Sequence, residues 1–278
     1  MTQSSRERRP WRLVLAVCGI AMTLACQRPA QPPGSGQAPP AYVPAPVPGP
    51  AESPRDVTVS EYTKMCTDEN ATACERACDG GDAESCTSLG WLYNHSRGRL
   101  EKDEVRAAAL YQRGCDGGDI LGCANLAVMY DHGRGVEKNE ARAVLLYERA
   151  CDGGNAQGCT NLGVMYDSGR GGLTKDEVRA VALYTRGCDG GHGHGCNNLG
   201  IMYEFGLGGL TRDEARAETL YRRACDSKKP SGCTNLGRMY EHGLGGLKKF
   251  QEGAVALYQR GCDGGDPAGC EHLKRLQR

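Results

Sequence analysis

Apolar positions recur with helical spacing through most of this chain. In the stretch GCTNLGVMYDSG, Cys159, Leu162, Gly163 and Tyr166 follow the i, i+3, i+4, i+7 pattern of one buried helix face. We call this element helix A. Gly163 lies where a side chain would meet a partner helix, so we expect a close approach there, and Gly90, Gly200 and Gly237 occupy the same position in other copies of the pattern.

A second element, helix B, follows each helix A. Thr174 with Glu177 predicts a capping box at its start, and Thr211 with Glu214 predicts the same cap one copy later. The predicted inner face of helix B carries Ala180, Leu183, Tyr184 and Cys188. Because the turns between the helices are short and glycine-rich, as in SGRGGL, the two helices must run antiparallel.

The helix pair repeats every 36 or 37 residues. The first cysteine of a C-x7-C motif falls at Cys78, Cys115, Cys151, Cys188, Cys225 and Cys262. A fixed period of this size is typical of a solenoid built from one supersecondary unit. The sequence therefore predicts an all-α fold, an α-solenoid of stacked αα-hairpins: residues 59–81 are capping helices, 82–265 are five repeats, and 266–278 are a C-terminal capping helix.

The N-terminus predicts export. Basic residues precede an apolar run that ends in the letters TLAC, so residues 1–26 have the pattern of a signal peptide. TLAC resembles a bacterial lipobox, in which Cys26 would be lipidated; a plainly cleaved signal and an uncleaved anchor are the alternatives. All three place the rest of the chain outside the cytoplasm, as an envelope lipoprotein or a secreted or periplasmic protein. The proline-rich residues 27–58 are predicted to form an extended, disordered tether.

Composition narrows the function classes. Lys and Arg together number 34 and Asp and Glu together 34, so no basic excess indicates nucleic acid as a partner. We expect a monomer that binds a protein, a peptide or a cell-wall component, contacts a membrane only through an N-terminal lipid, and needs no cofactor. Sixteen cysteines indicate either an oxidising compartment or metal loading.

Geometry favours disulfides. In one continuous helix the two thiols of C-x7-C would lie roughly 12 Å apart, whereas a disulfide needs Cα atoms within about 7 Å. The helix must therefore break at the Asp-Gly-Gly between them, with a glycine in the left-handed conformation and Asn155 capping the next helix. Evenly spaced C-x7-C pairs would not gather four zinc ligands at one point.

The predicted disulfides use every cysteine outside the signal segment. They are Cys66–Cys74, Cys78–Cys86, Cys115–Cys123, Cys151–Cys159, Cys188–Cys196, Cys225–Cys233 and Cys262–Cys270. One alternative stays open, because Cys74 and Cys78 are also i, i+4 neighbours that could pair with each other or bind a metal.

These units resemble Sel1-like repeats, which are related to the tetratricopeptide repeat. The match lies in A/C-x-x-L-G-x-x-Y-x-x-G-x-G of helix A and its loop and in E-A/V-R-A-x-x-L-Y-x-R-A/G-C of helix B. The cysteine pairs are similar to those of the Helicobacter cysteine-rich protein family. The resemblance implies a right-handed solenoid and an interaction scaffold. Members are often described as penicillin-binding, weakly β-lactam-hydrolysing proteins, which gives an alternative function, a β-lactamase-type hydrolase.

The enzyme alternative rests on the resemblance alone. No serine in the chain has lysine three residues later, and no H-x-H-x-D cluster occurs. His192 and His194 could suggest metal ligands, but a solvent-exposed turn explains them as well, and we predict no metal site. No catalytic residue is therefore assigned.

One position of helix A suggests ligand binding. It holds Asn in four repeats, with Met four residues later, and the predicted ligand-binding residues are Asn125, Asn161, Asn198, Asn235, Met129, Met165, Met202 and Met239. An Asn amide can donate to and accept from a peptide backbone, so this ladder predicts a groove for an extended ligand on the concave side. The alternative is that each Asn only holds a neighbouring loop carbonyl.

Overall fold

The computed structural model describes residues 58–276, with the side chain of Tyr62 excepted. Within this range the chain forms thirteen helices and no strand, so the predicted all-α fold is confirmed. Two short helices, α1 (Val59–Met65) and α2 (Ala71–Asp79), precede the repeats. No helix of the described range is long and apolar enough to cross a membrane.

The remaining helices alternate between the two predicted types. The helices A are α3 (Ala83–His95), α5 (Ile120–His132), α7 (Ala156–Ser168), α9 (Gly193–Phe205), α11 (Pro230–His242) and α13 (Pro267–Leu276). The helices B are α4 (Glu104–Asp116), α6 (Glu140–Asp152), α8 (Glu177–Asp189), α10 (Glu214–Asp226) and α12 (Gln251–Asp263). Each helix packs on the next one in sequence, which gives a solenoid of αα-hairpins.

The helix B caps differ from the prediction. Asp176 is the N-cap of α8, and its carboxylate accepts the backbone N–H of Arg179 at 2.9 Å. The predicted capping box of Thr174 with Glu177 is wrong, because Glu177 is the first helical residue and cannot reach back to the cap. The box predicted at Thr211 fails in the same way, with Asp213 as the cap of α10.

The glutamates at these first helical positions serve the neighbouring repeat instead. Glu177 accepts the backbone N–H of Gly208 at 3.2 Å, and Glu214 accepts that of Gly245 at 3.0 Å. Both glycines belong to the loop between helix A and helix B of the next repeat. The start of each helix B therefore holds the following loop in place.

The helix break between the two cysteines of each C-x7-C motif, which we call a joint, has the predicted geometry. Helix α6 ends at Asp152, Gly154 takes a φ of +87°, and the side chain of Asn155 accepts the N–H of Gly158 at 2.7 Å. The break brings the Cα atoms of Cys151 and Cys159 to 4.4 Å.

All seven predicted disulfides are present, including Cys66–Cys74 and Cys78–Cys86, which closes the alternative of a Cys74–Cys78 pair. Within the described range they link α1 to α2, α2 to α3, and every helix B to the next helix A. So many disulfides indicate an oxidising compartment outside the cytoplasm.

One joint places a lysine where the others place glycine. Lys228 has a φ of +59°, and the equivalent residues with positive φ are Gly81, Gly118, Gly154, Gly191 and Gly265. A side chain in this left-handed region costs about 1 kcal/mol. We expect Lys228→Gly to raise the free energy of unfolding by about that amount, measured by urea denaturation.

Lys228→Ala is the matched control. It removes the same long, exposed side chain but keeps a Cβ at positive φ, so its stability should stay near that of the parent protein. If Lys228→Ala stabilised as much as Lys228→Gly, backbone strain would not be the cause.

The two helices of a repeat meet at a tyrosine and a glycine. A Cβ on Gly163 would lie 2.8 Å from the ring of Tyr184, so the predicted close approach is confirmed. The same contact joins Gly90 with Tyr111, Gly200 with Tyr221 and Gly237 with Tyr258. These tyrosines and Tyr147 are among the largest fully buried side chains of the described range.

Candidate functional site

The helices A line the inner side of the stack. Consecutive helices A contact one another, as α3 does α5 and α9 does α11, whereas the helices B show no comparable contact with each other in the described range. One face of each helix A is left toward solvent. We call the surface that these faces form the inner groove.

The four predicted asparagines lie on this face, and each is half-buried. Two of them hold tyrosines of the preceding helix B: burial raises the pKa of the Tyr147 hydroxyl, and a hydrogen bond from Asn161 opposes that rise. Asn198 makes the same bond to Tyr184.

Asn235 is held differently, because it donates to the side-chain oxygen of Asn197 at 2.9 Å. For these three asparagines the partners are side chains, not the loop carbonyls of the alternative interpretation. Asn125 is the exception, since within the described range its side chain makes no hydrogen bond and its amide is available.

The methionine half of the ladder is corrected by the structure. Met129, Met165, Met202 and Met239 are 0 to 3% exposed and pack in the core. A residue four positions after the asparagine points toward the preceding repeat, not toward the groove. The residues three positions after the asparagine, which sequence reasoning missed, are half-buried and share the groove face: Val128, Val164 and Ile201, with Trp91 in the first repeat.

A pocket of about 170 Å³ lies at the N-terminal end of the inner groove. Its lining residues include the Cys66–Cys74 disulfide, Trp91, Leu121 and Asn125. We call it the terminal pocket. Leu121 is 50% exposed and provides apolar surface at the pocket.

Thr87 also lines the terminal pocket. It is 2% exposed, and its hydroxyl, which has no hydrogen-bond partner, is enclosed against Gly114 of α4 and does not open into the pocket. A buried polar group without a partner costs free energy. The polar group that the terminal pocket offers is therefore the free amide of Asn125, beside the apolar wall of Trp91 and Leu121.

A row of polar side chains marks the boundaries between repeats. The position eight residues after the second cysteine of each joint holds Asn94, Asp131, Asp167, Glu204 and Glu241. In the last four, the carboxylate accepts the hydroxyl of the buried tyrosine on helix B of the same repeat, at 2.7 to 3.4 Å.

Arginines of the following repeat bind four of these five side chains. Two arginines come from the loop after helix A: Arg134 donates to Asn94 at 2.7 Å, and Arg170 pairs with Asp131. Two come from helix A itself, with Arg238 on Glu204 at 2.6 Å and Arg275 on Glu241 at 2.7 Å. Sequence reasoning missed this row, because the partners lie 34 to 40 residues apart and come from two different positions.

The two histidines do not form a metal site with their neighbours. His192 is the N-cap of α9 and half-buried, and its Nδ1 lies 2.9 Å from the Thr160 hydroxyl, so it is less exposed than a free turn would be. His194 is exposed and stacks on His192 with ring centroids 5.2 Å apart. Among residues 58–276, no group of three or more His, Cys, Asp or Glu side chains is placed to hold a metal ion.

Comparison with known families agrees with this architecture. The model of the Sel1 repeat matches residues 83–119, 120–155, 156–192, 193–228 and 230–266, well over half of the chain. This chain belongs to the Sel1 repeat family. The resemblance predicted from the sequence is thereby confirmed, and the five Sel1 repeats each consist of one helix A and one helix B.

Solved structures show the same Sel1 repeat fold. A Sel1 repeat protein from Oxalobacter formigenes is 21% identical with a TM-score of 0.68, covering 79% of this chain and 86% of that one. A protective antigen of uropathogenic Escherichia coli strains, with an SLR fold, is 23% identical with a TM-score of 0.63. That match covers 79% of this chain, which spans about half (49%) of the antigen.

One of the similar solved structures is a cysteine-rich protein. Helicobacter pylori cysteine rich protein B is 26% identical over 49% of this chain and 96% of its own, with a TM-score of 0.40, too low for any further comparison. No curated protein matches this chain. The comparisons therefore show the family and the fold.

Proposed function

We propose that this Sel1 repeat protein is a non-catalytic scaffold that binds an extended segment of a partner protein in the inner groove. The observation that carries the proposal is the terminal pocket, where the free Asn125 amide lies beside Trp91 and Leu121. An amide that can donate to and accept from a backbone, next to an apolar wall that takes a side chain, is typical of a peptide site.

The groove continues this pattern along the stack. The asparagines lie beside the half-buried apolar row of Val128, Val164 and Ile201. An extended peptide alternates backbone polar groups with side chains, so a polar row next to an apolar row fits it. A glycan strand would use the asparagines but would leave the apolar row uncovered.

We further propose that this scaffold acts at the cell envelope. The seven disulfides support a place outside the cytoplasm, while the proposed lipidation at Cys26 and the tether of residues 27–58 concern the part of the chain before the described range, apart from Thr58. The tether would let the repeats reach partners at some distance from the membrane surface.

Selection from a random peptide phage library tests the proposal. We expect peptides enriched on the parent protein to lose about tenfold in affinity on the double variant Leu121→Ser, Asn125→Ala, since an apolar contact and a backbone hydrogen bond together contribute about 1.4 kcal/mol or more. Asn125 is preferred to Asn161 or Asn198 for this test, because it carries no internal hydrogen bond whose loss would also alter stability.

The matched control is the double variant Leu145→Ser, Val178→Ser. These two residues are 65% and 64% exposed on helices B, away from the groove. Peptide affinity should stay unchanged in this control. Equal loss in both variants, or enrichment of no peptide while a cell-wall glycan fragment binds, would contradict the proposal.

A further inference from the structure

The boundary between the third and fourth repeats lacks the arginine that the other boundaries have. The two positions that supply an arginine elsewhere, one on helix A and one in the loop after it, here hold Ile201 and Leu207. Within the described range no lysine, arginine or histidine forms an ion pair with Asp167. Lys175 is bound to Glu177 at 2.6 Å, which raises the pKa of Lys175, and the charge of Asp167 contributes to the same rise.

The carboxylate of Asp167 therefore has fewer hydrogen-bond donors than it can accept from. Among the described residues its side chain accepts one hydrogen bond, from the hydroxyl of Tyr184 at 3.3 Å, and its second carboxylate oxygen has no donor there. Asp167 is half-buried, as is the arginine-bound Glu241, whereas the arginine-bound Asp131 and Glu204 are 8% and 4% exposed. A carboxylate can accept two parallel N–H bonds from a guanidinium, and here that place is free.

An exposed aromatic ring lies on the following helix A. Phe205 is 61% exposed, lies between Ile201 and Leu207 in the sequence, and follows Asn198 by seven residues, so helical periodicity places it on the same face of α9. Contact with a partner would remove this apolar ring from water, which favours binding. A guanidinium is attracted to an aromatic face, and the chain itself uses this contact four times, with Arg106, Arg142, Arg179 and Arg216 each 5.3 to 5.6 Å from a tyrosine ring.

We infer that Asp167 and Phe205 form a subsite for an arginine side chain of the bound segment. This inference rests on the proposed function. The guanidinium of the ligand takes the place that Arg134, Arg170, Arg238 and Arg275 occupy at the other boundaries, with its N–H groups on the Asp167 carboxylate and its plane on the Phe205 ring. A lysine would supply charge but not the planar fork.

The position of the subsite fixes a register for the ligand. The terminal pocket lies between α3 and α5, and Asp167 lies between α7 and α9, two steps further along the helices A. Packed helices are about 10 Å apart, so the two places are roughly 20 Å apart, which an extended chain spans in about six residues. Peptides selected by the groove should therefore carry an apolar residue and, about six residues away, an arginine.

The test uses a small probe, N-acetyl-arginine amide, titrated into the ¹⁵N-labelled protein. We expect the amide signals of Phe205 and Leu207 to shift in a saturable manner. Asp167→Asn should weaken this binding about tenfold, as loss of a charge-assisted bidentate pair implies. Ile201→Arg, which copies the arrangement of Arg238 with Glu204, should abolish binding by filling the subsite from within the chain.

Two controls make the result specific. N-acetyl-citrulline amide has the same shape without the charge and should not bind. Asp152→Asn removes an equal charge from a carboxylate that is 80% exposed on α6, and it should leave binding unchanged. Equal binding of the citrulline probe, or unchanged binding to Asp167→Asn and Ile201→Arg, would overturn the inference.

The outcome is separable from that of the proposed function. If the arginine probe binds at Asp167 but the groove variant Leu121→Ser, Asn125→Ala does not affect selected peptides, the peptide groove is wrong and the subsite stands. If selected peptides bind at the terminal pocket yet contain no arginine and ignore Asp167→Asn, the groove stands and the subsite is wrong.

Discussion

Gly187→Ala should destabilise the protein by about 2 kcal/mol, the range found when a methyl group is forced into a packed core. A Cβ on Gly187 would lie 2.1 Å from the Thr160 hydroxyl and 3.0 Å from the Ala156 carbonyl oxygen. The threonine hydroxyl cannot turn away without losing its hydrogen bonds to Ala156 and His192. Alanine is otherwise the better helix former by about 1 kcal/mol, so helix propensity alone predicts the opposite sign.

A second substitution, copied from another repeat of the chain, should restore most of the stability that Gly187→Ala loses. Threonine on helix A faces glycine on helix B in three repeats, as Thr160 faces Gly187, whereas Ala124 is matched with Ala150 in the second repeat. The double variant Thr160→Ala, Gly187→Ala copies that second pair and should recover more than half of the lost stability. Thr160→Ala alone should cost about 1 kcal/mol for its lost hydrogen bonds, and additivity of the two single changes in thermal denaturation would contradict the steric account.

Removal of the Cys151–Cys159 disulfide by a double change to alanine should lower the free energy of unfolding by roughly 2 to 3 kcal/mol, the loop-closure value for nine residues. Repeats in a solenoid are coupled only to their neighbours. Weakening a central joint should therefore split the single unfolding transition into two, one for the repeats on each side, as followed by calorimetry.

The same change at Cys262–Cys270 is the matched control. It opens a loop of the same length, with the same separation of eight residues, but only α13 lies beyond it. We expect a similar local loss, seen as fraying of α13 in hydrogen exchange, with one main transition retained. If both variants unfolded in one step with equal midpoints, the central joint would not couple the two halves.

The sequence was sufficient for the fold because its information is local and repeated. The C-x7-C spacing required a helix break, and Asn155 and Gly154 occupy the places that the break needs. The start of helix B was predicted wrongly, because Thr174 and Asp176 both have side chains that can cap a helix and the structure uses the aspartate.

The candidate site could be predicted only in part. The position of Asn161 on the groove face followed from helical periodicity, but the burial of Met165 depended on the angle between neighbouring repeats, which no local pattern encodes. The sequence likewise did not show that Asp167 lacks an arginine partner. At the other boundaries the arginine comes from either of two positions, and only the structure shows that both positions serve the same carboxylate or amide.

The pairing of Thr160 with Gly187 lies wholly inside one repeat, and its counterparts Thr87 with Gly114 and Thr234 with Gly261 do as well. A segment that runs from one Asp-Gly-Gly joint to the next thus contains both the threonine of helix A and the glycine of helix B that packs against it. Duplication of such a segment in the gene would lengthen the groove by one helix A without creating a mismatch in the core. The groove can in this way become longer or shorter by one whole repeat at a time. A new boundary between repeats then has an arginine only if the copy that follows it carries one.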